Sequence, residues 1–313
     1  MIAFGPVPSR RLGKSLGINN IISRKVCSYS CVYCQLGITA KKIILRENFY
    51  EPEKLIQEVG KHLKKLDPDH KPDYLTFVAN GEPTLDVNLG EEIKLLKRKF
   101  NIPVAVITNA SQIYNENVQN ELLNADWVSV KIDSVIEATW RMINQPHILT
   151  PLTKILEGLE EFAEKFTGKL NTETMLLDNY NTAKAELEKT ASFIESLQPD
   201  KSYISIPVRP PAISSVNPPS EKNLLKAHQI FEEKGLCTEL LAGFEGTDTG
   251  ITGNAWEDIL NITAVHPLRE DSMKELLIKN NADSLVVDSL IEQGVLKSLK
   301  YNGKKYYLRQ YHY

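Results

Sequence analysis

Cysteine is scarce in this chain of 313 residues, which contains only four. Cys27, Cys31 and Cys34 lie within eight residues, whereas Cys237 lies in a distant segment without a partner. Disulfide frameworks need paired cysteines in a small secreted chain, so this usage favours a reducing compartment. Three readings remain for the clustered thiols: a metal centre, a disulfide with a spare thiol, and a degenerate zinc knuckle.

Long apolar runs are also missing, because no stretch approaches the ~18 apolar residues that cross a bilayer. Arg10 and Arg11 resemble the start of a twin-arginine signal, but polar residues at 14, 19 and 20 interrupt the apolar run that would have to follow. The net charge is only −3, so the molecule as a whole has no field that favours a polyanionic partner. We therefore expect a cytoplasmic protein with no membrane partner, in which any nucleic-acid surface is local.

Ligand chemistry limits what the three clustered cysteines can hold. Thiolates suit iron–sulfur clusters, zinc or copper(I). Structural zinc needs four ligands, usually two C-x2-C pairs or two cysteines with two histidines, and zinc therefore fits this chain poorly. A four-iron cluster on three cysteines keeps one iron open, which is what a cluster needs in order to bind and react with a substrate.

Apolar strands alternate with amphipathic helices along most of the chain. The predicted strands are residues 16–22, 74–78, 104–107, 127–133, 170–177 and 203–208, and the predicted helices are 55–66, 89–100, 118–123, 152–166, 183–197 and 221–234. Strands this apolar predict a parallel sheet covered by helical crossovers, an α/β fold whose chemistry lies at the carboxyl ends of the strands. Residues 4–17, which are rich in Gly and Pro, are expected to form an ordered but irregular segment.

The alternation ends at a Gly-, Thr- and Asn-rich loop over residues 243–255. Helices over 273–279 and 284–293 are then predicted, followed by strands over 295–301 and 305–309 joined by the turn at Asn302 and Gly303. Two helices and a hairpin are typical of a winged helix. The last 20 residues contain no acid but five cations and five tyrosines: Lys297, Lys300, Lys304, Lys305, Arg309, Tyr301, Tyr306, Tyr307, Tyr311 and Tyr313. This composition suits a nucleic-acid surface, and equally a solvated wing with tyrosines in its core.

The spacing C-x3-C-x2-C, with Tyr33 directly before the last cysteine, resembles the radical S-adenosylmethionine (radical SAM) superfamily. A second motif supports the resemblance: Gly81, Glu82 and Pro83 directly follow the second predicted strand. Glycine there allows a ligand to approach the backbone, and a carboxylate can accept hydrogen bonds from an ammonium group. In the family, a Gly-Glu-Pro at this place holds the methionyl amino group.

The resemblance implies a fold, cofactors and an activity. Cys27, Cys31 and Cys34 would ligate a [4Fe-4S] cluster whose open iron chelates S-adenosylmethionine, and the reduced cluster would cleave it to a 5′-deoxyadenosyl radical that abstracts hydrogen. The implied fold is a partial (β/α)6 TIM-like radical SAM barrel over residues 1–245. A linker and a small C-terminal winged-helix-like domain would occupy residues 246–313.

Further candidates for cofactor binding lie at other strand ends. The resemblance places Tyr33 near the adenine and Asn109 where the family often carries Thr-Asn-Gly. Lys131 and Asp133 are two apart on one strand and should share a face, which would let them contact the carboxylate and ribose. Glu173 has the same position on the next strand. Arg10, Arg11 and Arg209 could bind an anionic substrate group or form structural ion pairs.

The substrate is expected to be RNA, tRNA in particular, because residues 4–17, 33–37 and 80–84 look like the branch that includes wyosine (tRNA imidazoguanine) synthetases. This chain lacks the second-cluster cysteines of that branch. A flavodoxin- or ferredoxin-type electron donor is implied. The alternatives are a radical SAM enzyme acting on a protein or a small metabolite, and a non-enzymatic iron–sulfur regulator with a DNA-binding winged helix. The Gly-Glu-Pro motif favours the enzymes over the regulator.

Overall fold

The computed structural model describes residues 2–21 and 25–310. An eight-stranded sheet organises the first 241 residues, and its strands follow one another in chain order. They are β1 (Ala3–Ser9), β2 (Gly13–Ile18), β3 (Tyr74–Phe77), β4 (Val104–Thr108), β5 (Trp127–Lys131), β6 (Lys169–Met175), β7 (Lys201–Ser205) and β8 (Thr238–Leu241). Strands β2 to β8 pair in parallel, and β1 pairs antiparallel to β2 at the edge.

Helical crossovers connect the parallel strands; six of those named next were predicted, and the one over residues 137–144 was not. They are α1 (Pro52–Lys65), α2 (Leu89–Phe100), α3 (Glu116–Leu122), α4 (Glu137–Asn144), α5 (Leu152–Lys165), α6 (Lys184–Ser196) and α7 (Glu221–Glu233). Their apolar faces and the strand side chains share one core, in which Leu75, Val128 and Ile194 are fully buried. The sheet curls into a half-barrel, which confirms the expected partial TIM-like fold.

The N-terminal segment differs from the prediction of irregular structure over residues 4–17. It forms β1 and most of β2, with a register shift between Phe4 and Val7. Prolines 6 and 8 are tolerated because β1 is an edge strand, where a missing N–H interrupts no internal ladder. Strand β8 was not predicted, since two of its four residues, Thr238 and Glu239, are polar and leave no apolar run. The first predicted strand ends at Ile18, and its last predicted residue, Ile22, lies outside the described residues.

The C-terminal unit comprises residues 255–309 and contains three helices and a three-stranded antiparallel sheet. Its elements are α8 (Ala255–Thr263), β9 (Leu268–Arg269), α9 (Glu270–Lys279), α10 (Leu285–Glu292), β10 (Leu296–Tyr301) and β11 (Lys304–Arg309). Both predicted helices and the hairpin are present; α8 and β9 were not predicted. Phe4 and Val7 of β1 share its apolar core, so the unit packs against the edge of the barrel. In residues 2–21 and 25–310, no helix is long and apolar enough to span a membrane.

Candidate active site

A cavity of about 290 Å³ lies at the carboxyl ends of the parallel strands, where chemistry is expected in such folds. Seven of the eleven predicted site residues line it: Tyr33, Cys34, Gly81, Glu82, Asn109, Lys131 and Glu173. Cys27, Cys31, Pro83 and Asp133 are not among the lining residues. The structure therefore brings both predicted motifs to one place.

The cysteine loop supplies three sulfur atoms that each accept an N–H donor. Cys27 Sγ accepts from Asn109 Nδ2 at 3.4 Å, and Cys31 Sγ accepts from Asn144 Nδ2 at 3.4 Å. Lys25 Nζ donates to Cys34 Sγ at 3.1 Å. Donors of this kind orient thiolate ligands and tune the metal that they hold.

Burial keeps two of these thiols protonated when no metal is bound. It raises the pKa of Cys27 well above its ordinary value, and raises the pKa of Cys31 to about 11. A metal that binds them must displace the protons, as is usual for thiolate ligands.

The donor set fits an iron–sulfur cluster better than a single ion. In the described part of the chain, three or more His, Cys, Asp or Glu side chains nowhere converge in the geometry of a one-ion site. A four-iron cluster bonds each thiolate to a different iron, so its three cysteines need not converge on one point. Three soft sulfur donors without a fourth protein ligand match this requirement.

Gly81 brings the second motif against the cysteine loop. It forms an isolated β-bridge with Val26, the residue before Cys27, and Glu82 N donates to Val26 O at 3.0 Å. The φ angle of Gly81 is +140°, and a Cβ built there would lie 1.7 Å from Val26 O. Only glycine satisfies both this angle and this approach.

Glu82 lines the cavity as a buried carboxylate. Its Oε1 accepts from Thr84 N at 3.0 Å, Thr84 Oγ1 at 2.7 Å and Thr108 Oγ1 at 2.6 Å, and its Oε2 accepts from Asn109 N at 2.7 Å. None of these four donors is a cation. Burial raises the pKa of Glu82, and the hydrogen bonds act in the opposite direction. The carboxylate is therefore fixed in position and suited to an incoming cationic group.

Glu173 lies between two cations on the far side of the cavity. Lys131 Nζ donates to Glu173 Oε1 at 2.8 Å, Arg11 donates to Oε2, and Ser205 Oγ donates to Oε1 at 2.9 Å. Burial alone would raise the pKa of Glu173, but Arg11 and Lys131 bring it well below its ordinary value. Arg11, Lys131 and Glu173 together carry two positive charges and one negative charge, so this group is suited to binding an anion.

Asp133 supports Tyr33 from outside the cavity lining. Tyr33 Oη and Asn144 Nδ2 both donate to its Oδ2, the latter at 2.7 Å, and Met175 N donates to Oδ1 at 2.8 Å. Lys131 Nζ lies 4.9 Å from the centre of the Tyr33 ring, within cation–π range. Strand β5 ends at Lys131; Asp133, two residues further on, is not among the residues that line the main cavity, but it lines a smaller pocket together with Lys131.

A second charged group, which sequence reasoning did not assemble, surrounds Glu245. Arg209 donates to its Oε2, and Arg10 Nη2 donates to its Oε1 at 3.3 Å. Arg209 Nη1 also donates to Gln35 Oε1 at 3.1 Å, and Gln35 Nε2 donates to Val265 O at 2.9 Å. The residue after Cys34 is thereby connected to the segment that leads from α8 into β9. In the sequence, Glu245 lies within the Gly-rich residues 243–253, and this composition indicated a loop but no functional role for Glu245.

The hairpin tyrosines do not form the exposed stacking surface that the sequence allowed. Tyr306 and Tyr307 are buried. Tyr301 Oη donates to Pro207 O at 3.0 Å, and Tyr306 Oη donates to Val208 O at 2.9 Å. Alternation along a strand shows which tyrosines share a face but not what covers that face. Tyr311 and Tyr313 lie outside the described residues.

Comparisons with known proteins agree with this site. The family model of the radical SAM superfamily matches residues 21–194. The UPF0026 protein MJ1312 of Methanocaldococcus jannaschii is 48% identical over 98% of this chain and 96% of its own length. A UPF0026 protein of Helicobacter pylori strain J99 is 32% identical over 89% of each chain.

Among solved structures, a radical SAM methyltransferase from Sphaerobacter thermophilus superposes with a TM-score of 0.53 at 12% identity, covering 73% of this chain and 66% of that one. At this identity the likeness concerns the fold. The family match spans more than half of the chain, including the cysteine loop, Gly81 and Glu82. The chain belongs to the radical SAM superfamily, and it is an enzyme of this type that uses a [4Fe-4S] cluster and S-adenosylmethionine.

Proposed function

We propose that Cys27, Cys31 and Cys34 hold the [4Fe-4S] cluster and that the adjoining cavity binds S-adenosylmethionine. The observation that carries this assignment is the position of Asn109, which donates from its backbone to Glu82 and from its side chain to Cys27 Sγ. One residue thus connects the proposed cluster ligands with the proposed cofactor carboxylate. When bound, the cluster and cofactor supply a 5′-deoxyadenosyl radical that abstracts hydrogen from a substrate.

The surrounding side chains bind and orient the cofactor in this proposal. Glu82 receives the methionyl ammonium, with Gly81 and Pro83 shaping the backbone that presents it. Lys131, within the net positive group around Glu173, receives the carboxylate. Tyr33 packs near the adenine and is held by Asp133, which positions the ring without touching the cofactor.

RNA, with tRNA as the first to be tested, is the proposed substrate. Lys297, Lys300 and Lys304 are exposed on the hairpin. The hairpin is held to residues 207 and 208, next to Arg209 in the cavity wall. A backbone bound by these lysines would therefore pass close to the cavity. Because Tyr306 and Tyr307 are buried, their rings do not contribute to base stacking in this proposal.

A small anionic metabolite is the second candidate substrate. The observation in its favour is the group of Arg10, Arg209 and Glu245 in the cavity wall, which carries one positive charge in excess.

We also propose that residues 246–313 form a linker and a winged-helix-like domain; the three helices and antiparallel sheet of the C-terminal unit support this assignment. The cytoplasmic location remains a prediction.

Anaerobic reconstitution tests the core of the proposal. We expect close to four irons per chain, and loss of the cluster in each of Cys27→Ala, Cys31→Ala and Cys34→Ala, but not in Cys237→Ala. With dithionite, the wild type should slowly form 5′-deoxyadenosine without substrate. Glu82→Gln should weaken S-adenosylmethionine binding by roughly 10- to 100-fold, because a charge-assisted hydrogen bond is worth about 1.5–3 kcal/mol. Zinc in place of iron, or unchanged affinity in Glu82→Gln, would refute the assignment.

A further inference from the structure

Two buried carboxyl side chains adjoin residues 82–86, which we call the Glu82 turn. Asp86 ends this turn and Glu92 lies on α2, and both side chains are 0% exposed. Within residues 2–21 and 25–310, neither carboxylate oxygen of Glu92 has a hydrogen-bond partner. Burial of an ionised carboxylate without a partner is so unfavourable that such a group normally takes up a proton instead.

Hydrogen-bond donors at this place are too few for two carboxylates. Asn20 Nδ2 donates to Asp86 Oδ2 and to Pro83 O, each at 3.2 Å, and Asn88 N donates to Asp86 Oδ1 at 3.0 Å. Asp86 therefore has a donor for each of its oxygens and can remain ionised, whereas Glu92 has none. A protonated Glu92 would supply the missing donor itself, because a neutral carboxyl group carries one O–H.

The charges around the pair also favour one bound proton. Arg46, in the segment before α1, acts on Asp86, but its guanidinium donates to both carboxylate oxygens of Glu121 on α3 and to carbonyl oxygens of the Glu82 turn. Burial raises the pKa of both carboxyl groups; Asp86 and Glu121 raise that of Glu92 further, to about 9, whereas a neighbouring amide acts in the opposite direction. A proton on Glu92 keeps a second buried negative charge away from Asp86.

The Glu82 turn connects this pair to the proposed cofactor site. Asp86 N donates to Pro83 O and Leu85 N donates to Glu82 O, each at 3.1 Å. Glu82 lines the cavity at one end of the turn, and Asp86 contacts Asn20 at the other. Because Asn20 holds both Pro83 O and Asp86, a shift of Asp86 would move the backbone that presents the Glu82 carboxylate.

We propose that Glu92 holds a proton and donates it in a hydrogen bond to Asp86, and that this buried carboxyl pair positions Glu82 for the cofactor. Both are positioning residues, since neither is among the residues that line the cavity. The positioning role rests on the proposed function, whereas the bound proton does not. When the proton dissociates at alkaline pH, two buried negative charges face each other and the Glu82 turn shifts. Affinity for S-adenosylmethionine should then fall.

Infrared spectroscopy of the reconstituted protein tests the proton directly. In the wild-type minus Glu92→Gln difference spectrum at neutral pH, we expect the carbonyl band of a protonated carboxyl group, because glutamine keeps the shape of the side chain without its acidic proton. Glu91→Gln changes the exposed neighbouring position on α2 and is the matched control, which should retain the band. Absence of the band from the first difference spectrum would overturn the proposal, as would a metal ion that Glu92→Gln loses.

The pH dependence of S-adenosylmethionine binding tests the positioning. We expect the dissociation constant of the wild type, divided by that of Glu92→Gln, to rise at least threefold between pH 7 and about 9.5, because only the wild type loses a buried proton. The ammonium of the cofactor titrates in the same range, and the ratio removes its effect. A ratio that stays constant with pH would overturn the positioning role.

A second substitution separates the hydrogen bond from the shape of the side chain. At pH 7, Glu92→Gln should bind S-adenosylmethionine within about twofold of the wild type, because its amide can donate to Asp86. Glu92→Met, which cannot donate, should bind at least fivefold more weakly, and equal affinities of the two variants would contradict the proposed hydrogen bond. Unchanged affinity in Glu82→Gln would instead refute the proposed function, and the infrared band would not depend on that outcome.

Discussion

The backbone N–H of Asn109 donates to Glu82 Oε2 at 2.7 Å, across the carboxyl ends of β3 and β4. The side chain of the same residue donates from Nδ2 to Cys27 Sγ at 3.4 Å. The two interactions use different parts of Asn109, so substitution of the side chain separates them.

Asn109→Ala should therefore change the reduction potential of the cluster while leaving the cofactor site in place. The variant keeps the N–H that holds Glu82, so affinity for S-adenosylmethionine should stay within about twofold. It loses the donor to Cys27 Sγ, and hydrogen bonds to cluster sulfurs stabilise the more negative reduced state. We expect iron content to be retained and the reduction potential to fall, as measured by anaerobic potentiometric titration. Asn120→Ala, an exposed position on α3, is the control; an unchanged potential in Asn109→Ala would contradict the role of this contact.

Local spacing was sufficient to predict the centre of this site. Cys27, Cys31 and Cys34 are close in sequence, and Gly81 and Glu82 directly follow a strand, so the carboxyl-end rule for parallel sheets places them together. The parallel sheet itself followed from strands that are apolar on both faces. The prolines in β1 led to a prediction of irregular structure, because proline is normally excluded from strands. An edge strand tolerates proline, so the exclusion does not hold there.

The outer part of the site could not be predicted, because it depends on contacts between distant positions. Arg10 and Glu245 are 235 positions apart, and no pattern in either segment indicates the other. Strand periodicity predicted one face for Lys131 and Asp133, and both line a small pocket, but periodicity could not show that only Lys131 lines the main cavity. The burial of Tyr306 depends on where the C-terminal unit packs, which hairpin composition does not specify.

Gly81→Ala should disrupt both motifs at once. The added methyl would overlap Val26 O, and the φ of +140° is unfavourable for any residue with a Cβ. We expect reduced iron retention and at least tenfold weaker S-adenosylmethionine binding, measured by iron analysis and equilibrium dialysis. Gly243→Ala is the matched control, because no atom lies within 4 Å of a Cβ built there. Wild-type behaviour of Gly81→Ala would show that the close approach to Val26 is unimportant.

His266 should make the stability of the protein depend on pH. Burial and the neighbouring Arg209 lower its pKa to about 3, with Glu245 acting in the opposite direction. Arg209 Nη2 lies 3.0 Å from His266 Nε2, and because arginine can only donate, the imidazole accepts in its neutral form. The unfolded pKa is about 6.5, so the unfolded state binds more protons between that value and the folded pKa.

The stabilising contribution of neutral His266 is therefore complete above pH ~6.5 and is lost as pH falls toward 3. Between pH 7.5 and 5.0 the loss should reach up to about 2 kcal/mol of unfolding free energy. Anaerobic urea titrations of the wild type and His266→Gln at both pH values measure it. We expect the variant to lose less stability than the wild type on acidification. Equal losses in the two proteins would mean that His266 titrates normally in the folded state.

The hairpin lysines provide the test of the RNA proposal. Lys300 and Lys304 are exposed, whereas Lys305 Nζ lies 4.9 Å from the centre of the Tyr307 ring, so the first two are better placed to contact phosphates. If they do, tRNA affinity must fall steeply with salt, because each neutralised phosphate releases condensed counterions. The double variant Lys300→Ala and Lys304→Ala should bind more weakly, with a salt slope smaller by about one unit per lost contact.

The same variant should form 5′-deoxyadenosine with dithionite at the wild-type rate, because neither lysine is among the residues that line the cavity. Lys154→Ala with Lys222→Ala, at two exposed positions on α5 and α7, removes the same charge elsewhere and should leave the salt slope unchanged. If both double variants weaken tRNA binding equally, the interaction depends on net charge alone and the hairpin is not its site. In that case the excess positive charge around Glu245 makes a small anionic metabolite the substrate to test next.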